Sequence, residues 1–233
     1  TGTLTVNRMT AVALQVDGGR LPAQVVSQQP QAWAPLLEAL ALCSEVELDG
    51  DGPQATLRGS PTETALLRLA QDGGVSVAAL RAGWPRRLLV ARAEQRPWLT
   101  TVHCRDDGRT RVAVKGSPLQ VLGLCDRRRR TDGRIEPLDE DAREAIAAAN
   151  EAMAGDALRV LAVAEGEDPA QLAAAGLTWL GLVGLADPLR PGMPALMAQF
   201  HEAGIDTAMI TGDQSATAYA IARQLGLADA GEL

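Results

Sequence analysis

At 233 residues with 46% apolar content, the chain has room for one large domain or two small ones, each with a core. Its net charge of -7 excludes a nucleic-acid platform, whose affinity comes from neutralising phosphates. No apolar run reaches the roughly 18 residues of a membrane span and no signal peptide is present, so these residues are expected to be soluble. Cys43, Cys104 and Cys125 are odd in number and widely spaced, with only His103 and His201 beside them. That pattern fits a reducing compartment and suggests neither a metal site nor a disulfide framework. One of the 22 basic residues, Lys115, is a lysine; the others are arginines.

Taken in chain order, residues 9–16 alternate loosely and lead into Asp17-Gly18-Gly19, a strand followed by a turn. After Pro30, apolar residues at helical spacing (Trp33, Leu36, Leu37, Leu40) predict a helix over 31–43. Residues 48–52 are turn-rich. Ser60-Pro61-Thr62-Glu63 reads as a helix start, with Ser as cap, Pro in the first turn and Glu at the third position. This helix runs to about residue 70 and stops at Asp72-Gly73-Gly74. The middle reads as antiparallel sheet, with short strands over 87–91, 99–104 and 111–114. The last two are joined by the hairpin-type turn Asp106-Asp107-Gly108-Arg109.

The run Arg127-Arg128-Arg129-Arg130 precedes Thr131-Asp132-Gly133 and is predicted to be a solvated loop. Residues 138–154 are Ala-rich and helical, and 158–164 and 177–185 read as buried strands. Beyond Asp187-Pro188-Leu189-Arg190-Pro191 the pattern changes to strand-then-helix. A helix over 193–203 ends at Gly204, an apolar strand covers 206–210, and a helix over 214–225 is closed by Gly226. That alternation predicts a parallel, doubly wound sheet, with a domain boundary near Asp187.

Several segments carry chemistry or its structural equivalent. Thr211-Gly212-Asp213 follows a predicted strand and opens a helix, which suits either a phosphate or a simple helix cap. Lys115-Gly116-Ser117-Pro118 leaves a strand, as an exposed lysine at a turn or as a cation lying along a nucleotide. Glu63 fits a capping role or ligand contact. Arg159 interrupts an apolar stretch, which asks for an ion pair or a site.

The order of these segments resembles one family. Thr1-Gly2-Thr3-Leu4-Thr5, Gly59-Ser60-Pro61-Thr62-Glu63, Lys115-Gly116-Ser117-Pro118, Ala157-Leu158-Arg159-Val160-Leu161, Asp187-Pro188-Leu189-Arg190 and Met209-Ile210-Thr211-Gly212-Asp213 appear in sequence. They resemble the TGTLT, PTE, KGA-P, LRVLA, DPPR and MITGD blocks of P-type cation-transporting ATPases, across essentially the whole chain. The resemblance implies an α/β protein. Residues 9–186 would form an antiparallel-sheet nucleotide-binding domain flanked by helices. Residues 1–8 and 187–233 would be pieces of an incomplete, haloacid-dehalogenase-like, doubly wound parallel phosphorylation domain.

The resemblance also implies roles for single residues. Lys115 and Gly116 would line the adenine pocket, Glu63 would contact the adenine side, and Arg159 would reach the phosphates. Asp187 and Arg190 would form the hinge and help hold the nucleotide. Thr3 would sit beside the phosphoryl group and the metal, while Thr211, Gly212 and Asp213 would cradle the γ-phosphate and order Mg²⁺. ATP and Mg²⁺ are the implied cofactors, and the transmembrane and actuator domains of a pump are the implied partners, at the cytoplasmic face of a membrane. A monomer is expected. The reaction would be phosphoryl transfer to an aspartate followed by hydrolysis, coupled to cation movement.

Departures from the family pattern qualify this. The nucleophilic Asp and its following Lys would precede Thr1, and the GDGxND block would follow Leu233, so these residues alone are expected to be inactive. The family's adenine-stacking aromatic falls on Arg92. Either its guanidinium stacks on the base, or Trp98 substitutes, or ATP binds poorly. Trp98 also suits plain sheet packing. The KGSP and DPLR blocks resemble the branch that moves calcium, magnesium, protons or alkali ions, and the heavy-metal His-Pro is absent. The alternatives are a degenerate regulatory or interaction domain, and a soluble phosphatase of the same superfamily, against which the KGSP block counts.

Overall fold

The computed structural model describes residues 3–17, 19–49, 56–172, 176–210 and 215–228. The first hairpin is β1 (Thr10–Val16) with β2 (Gly19–Pro22), followed by α1 (Val25–Gln28) and α2 (Pro30–Leu42). A small ribbon of β3 (Glu47–Asp49) and β4 (Thr56–Arg58) precedes α3 (Pro61–Asp72) and α4 (Val77–Gly83). Next come β5 (Arg86–Val90), β6 (Trp98–Cys104), β7 (Thr110–Gly116), α5 (Pro118–Leu122), β8 (Cys125–Arg129) and β9 (Ile135–Pro137). The chain continues through α6 (Glu140–Gly155), β10 (Arg159–Gly166), a 3-10 turn at Pro169–Leu172, and β11 (Leu177–Ala186). It then reaches α7 (Met193–Glu202) and α8 (Ser215–Gln224).

The main sheet runs β2-β1-β11-β10-β7-β6-β5, with every neighbouring pair antiparallel. Side chains alternate across it, as the two-residue period of a strand requires. Ala113 of β7, Leu99 of β6, and Val183 and Leu185 of β11 face a layer formed by α2 and α3, with Leu37, Leu40, Leu66 and Leu67. Val112 and Val114, Val102 and Leu182 face the other side, toward Val121 of α5 and Met153 of α6. The sheet is thus covered by helices on both faces. The antiparallel sheet with flanking helices predicted for the nucleotide-binding domain is present.

One strand serves two neighbours on the same edge. Residues 177–179 of β11 pair in parallel with β8, whereas 182–186 pair with β1. The switch occurs at Gly181, whose φ of 145 is one that side-chain-bearing residues rarely adopt. A Cβ there would lie 2.6 Å from Val16 Cγ2 and 2.8 Å from the Gln15 carbonyl oxygen.

Two expectations require correction. The Arg127–Arg130 run is not a solvated loop but leads through β8, which pairs with both β11 and β9. Strand formation is compatible with this charge because carboxylates arrive from elsewhere. Arg128 meets Glu136 at 2.7 Å, Arg129 meets Glu165 at 2.9 Å, and Arg130 meets Asp17 at 2.8 Å.

Residues 206–210 do not form the predicted strand, and Ile210 is 98% exposed. A strand needs a partner for its ladder. Among the described residues no doubly wound sheet is formed to supply one, the parallel pairing being that of β8 with β11. The helices on either side, α7 and α8, form as predicted. Among the described residues, no helix is long and apolar enough to cross a membrane.

Candidate functional site

The first turn of α3 organises the site. Ser60 Oγ accepts a hydrogen bond from the Glu63 backbone N–H at 3.3 Å, which caps the helix and directs the Glu63 side chain toward the sheet. There Lys115, near the end of β7, lies on the same face as Ala113, opposite Leu99 of β6 and Val163 of β10. Its Nζ is 2.5 Å from Glu63 Oε2, and the side chains are 3% and 17% exposed respectively. Lys115 is therefore not an exposed lysine at a strand exit. Packing of α2 and α3 over this face closes water out.

Glu63 Oε2 also accepts from the Ser44 hydroxyl at 3.2 Å and the Glu45 backbone N–H at 3.4 Å. Beside this pair Cys43 is fully buried, its Sγ donating to the Leu99 carbonyl at 3.4 Å. Burial pushes its thiol up to about 11, against the opposing pull of the Lys115 charge. Cys43, Ser44 and Glu45 carry no spacing that marks them in the sequence; they enter because α2 ends beside α3.

Thr62, adjacent to Glu63, holds the second cation. Its Oγ1 accepts from Arg159 Nη1 at 3.2 Å. Arg159 opens β10 and is exposed, so it is neither a buried charge nor a core ion pair. Consecutive residues of one helical turn thus hold Lys115 and Arg159.

Gly116 fits against β6 with no room to spare. A Cβ would lie 2.5 Å from both the Pro97 carbonyl oxygen and Trp98 Cα. Trp98 pairs with Gly116 and packs toward the core of α5 and α6, on the opposite face of the sheet from Lys115. Its ring packs on the sheet face away from Lys115. Arg92 is exposed in the connection between β5 and β6, two residues beyond Val90, which pairs with Thr100. It lies at the same end of the sheet as Lys115.

Across β10, Arg159 pairs with Leu185, two residues before Asp187. Asp187 Oδ2 accepts from the Thr5 hydroxyl at 2.7 Å and Oδ1 from the Arg8 backbone N–H at 2.9 Å. The Arg190 N–H donates to the Leu4 carbonyl at 2.8 Å, and Arg190 Nε to the Thr3 carbonyl at 3.1 Å. Asp187 and Arg190 therefore tie the segment before β1 to the segment after β11. Thr3 meets Arg190 through its backbone carbonyl. Thr211, Gly212 and Asp213 lie outside the described residues. Among the described residues no cluster of three or more His, Cys, Asp or Glu is placed to hold a metal ion.

The sequence is similar to known proteins throughout this region. Residues 32–192 match the family described as "P-type ATPase, cytoplasmic domain N". The chain is 34% identical to a cation-transporting ATPase, pma1, of Synechocystis sp., over 100% of this chain and 28% of the relative. It is 32% identical to calcium-transporting ATPase 1 of Lactococcus lactis, over 100% of this chain and 26% of the relative. It is also 34% identical to calcium-transporting ATPase 3, plasma membrane-type, of Oryza sativa, over 97% of this chain and 23% of the relative. The chain spans about a quarter of the length of these curated relatives. With the capped α3, the Lys115–Gly116 strand end and the matched residues in one fold, the chain belongs to the P-type ATPase family and carries its N domain.

Proposed function

We propose that residues 9–186 bind ATP and present it to the phosphorylation domain of a cation pump, to which 1–8 and 187–233 contribute. The carrying observation is the line of groups from Lys115 through Glu63, Thr62 and Arg159 toward Asp187. Its Lys115 end is enclosed and partly apolar, as an adenine requires. Its Arg159 end is exposed and cationic, as a polyphosphate requires. Glu63 in this reading holds Lys115 in place and offers an acceptor to the adenine side. Arg92 lies where a base would emerge from the sheet end.

The whole pump would couple ATP hydrolysis, through an aspartyl-phosphate, to movement of a cation across a membrane. This domain would lie at the cytoplasmic face, with the transmembrane and actuator domains as partners. Mg²⁺ when bound supplies charge neutralisation at the phosphates. Thr3, Thr211, Gly212 and Asp213 are proposed for the phosphoryl end. These 233 residues alone are expected to bind ATP without turning it over.

Titration of the chain with MgATP, followed by backbone chemical shifts and Trp fluorescence, tests the reading. Saturation is expected around 1 mM, roughly -4 kcal/mol, with shifts clustered at residues 62–63, 92 and 115–116. Absence of saturation at tens of millimolar would overturn it and favour a non-catalytic interaction domain.

A further inference from the structure

At the other end of β6 from Lys115, a cleft of about 670 Å³ opens between the α2–β3 connection, α4 and β5. That volume is far beyond the ~30 Å³ share of one water and falls in the range of small-molecule sites. Leu42, Val46, Trp84 and Leu89 supply apolar walls. Three basic residues, Arg81, Arg86 and His103, share the lining with Glu45 and Glu47.

Two buried atoms here have no partner among the described residues, Arg81 Nη2 and His103 Nε2. His103 is 2% exposed. Its Nδ1 lies 2.9 Å from the Trp84 carbonyl oxygen, which can only accept, so Nδ1 carries the proton. Burial, with Arg86, Arg111 and Arg81 nearby, holds the ring in its neutral form against the pull of that carbonyl. Nε2 is then a lone-pair acceptor awaiting a donor.

Arg81 is the reverse case. Its Nε donates to the Ala41 carbonyl at 3.1 Å and its Nη1 to the Val46 carbonyl at 2.8 Å. Those bonds fix the guanidinium plane and leave the Nη2 protons awaiting an acceptor. Arg86 is anchored likewise, Nη1 donating to the Ser44 carbonyl at 3.1 Å. Both guanidinium groups are thus held by neutral carbonyls, and among the described residues neither makes an ion pair with a carboxylate.

A ligand matched to this cleft must accept from one side and donate to the other; a carboxylate suits the side of Arg81 and Arg86, and Glu45 and Glu47 on the same lining confine it to that side. We infer that the cleft binds a small hydroxycarboxylate, its carboxylate facing Arg81 and Arg86 and its hydroxyl donating to His103 Nε2. This site is argued independently of the proposed nucleotide site, although residues 44–45 border both: Glu45 lines the cleft and its N–H donates to Glu63, and the Ser44 carbonyl anchors Arg86. Lys115 and His103 sit toward opposite ends of the β6–β7 pair, where Leu99 pairs with Lys115 and His103 with Arg111.

The test uses the full chain with L-lactate and propionate, which differ only in the hydroxyl. The readouts are the His103 ring nitrogen resonances and Trp fluorescence. Lactate is expected to saturate in the millimolar range, shift the His103 Nε2 resonance, and bind about tenfold more tightly than propionate. His103→Phe should level the two ligands, and Arg81→Lys should weaken both. Equal affinities in the unaltered protein, or no His103 shift with lactate at tens of millimolar, would overturn the inference and leave the cleft to water. If His103→Phe fails to fold, the lactate–propionate comparison in the unaltered chain decides alone. Lactate is read at His103 and MgATP at residues 62–63 and 115–116, so failure of one site is distinguishable from failure of the other.

Discussion

Lys115 and Glu63 form a closed pair at the junction of sheet and helix, and this changes what substitution at Lys115 means. A surface lysine is removed at little cost, and the sequence suggests such a residue. In the fold, Lys115→Ala strands a carboxylate that has only Ser44 and the Glu45 amide left to solvate it. We expect a loss of about 3 kcal/mol in urea unfolding, together with weaker ATP binding. The double variant Lys115→Met, Glu63→Gln should recover most of the stability but not the binding. A Lys115→Ala variant as stable as the parent would show that the pair contributes nothing to the fold.

Gly116→Ala should be costly for a different reason. The added methyl would meet the Pro97 carbonyl and the Trp98 main chain, neither of which can rotate away as a flexible side-chain end does. Parting of β6 from β7 at this end is expected to cost about 2 kcal/mol. It should also move Lys115 and so raise the ATP dissociation constant. Calorimetric melting of the alanine variant checks this; an unchanged midpoint would show that the strands yield without penalty.

Stability should fall on mild acidification because of His103. Its folded-state pKa lies below the ordinary 6.5, chiefly through burial, with Arg86, Arg111 and Arg81 adding to the effect. As pH falls below 6.5 the unfolded chain takes up the proton and the folded one resists, so the unfolded state gains. The contribution is complete above 6.5 and is lost progressively as pH drops toward the lowered folded value. Melting temperatures between pH 7.5 and 5 for the parent and a His103→Gln variant should converge toward the acid end. Parallel curves would remove His103 as the cause.

Arg92→Phe should tighten ATP binding by about tenfold if the position receives the base, since aromatic stacking contributes about 1 to 3 kcal/mol per base. Isothermal titration with MgATP is the measurement. A clear loss of affinity would instead show that the guanidinium makes the contact.

The sequence and the fold agree where the determinants are local. Ser60 through Glu63 announce the start of α3, and Asp106 through Arg109 the turn between β6 and β7, because each signal lies within a few residues. Disagreement arises where the partner is distant. The strand character of β8 depends on Asp17, Glu136 and Glu165 reaching its arginines, and the burial of Lys115 depends on a helix 52 residues away. Residues 206–210 have strand-like composition without a neighbouring ladder to complete it. The candidate site was legible as a set of blocks in order. Its geometry was not, since Ser44, Glu45 and Cys43 carry no pattern of their own.

The pairing of Thr10 with Ala186 means that the chain enters and leaves the large sheet side by side. Everything between them is, topologically, a loop with its mouth nearly shut. Such a loop can be lifted from its surroundings and its ends rejoined by a short peptide, or reopened at the exposed turn after Arg105, without separating β1 from β11. A circular permutant cut at that turn should therefore retain the three-layer core. In a larger protein, the same closed mouth would leave the unit attached to its surroundings through two adjacent strands.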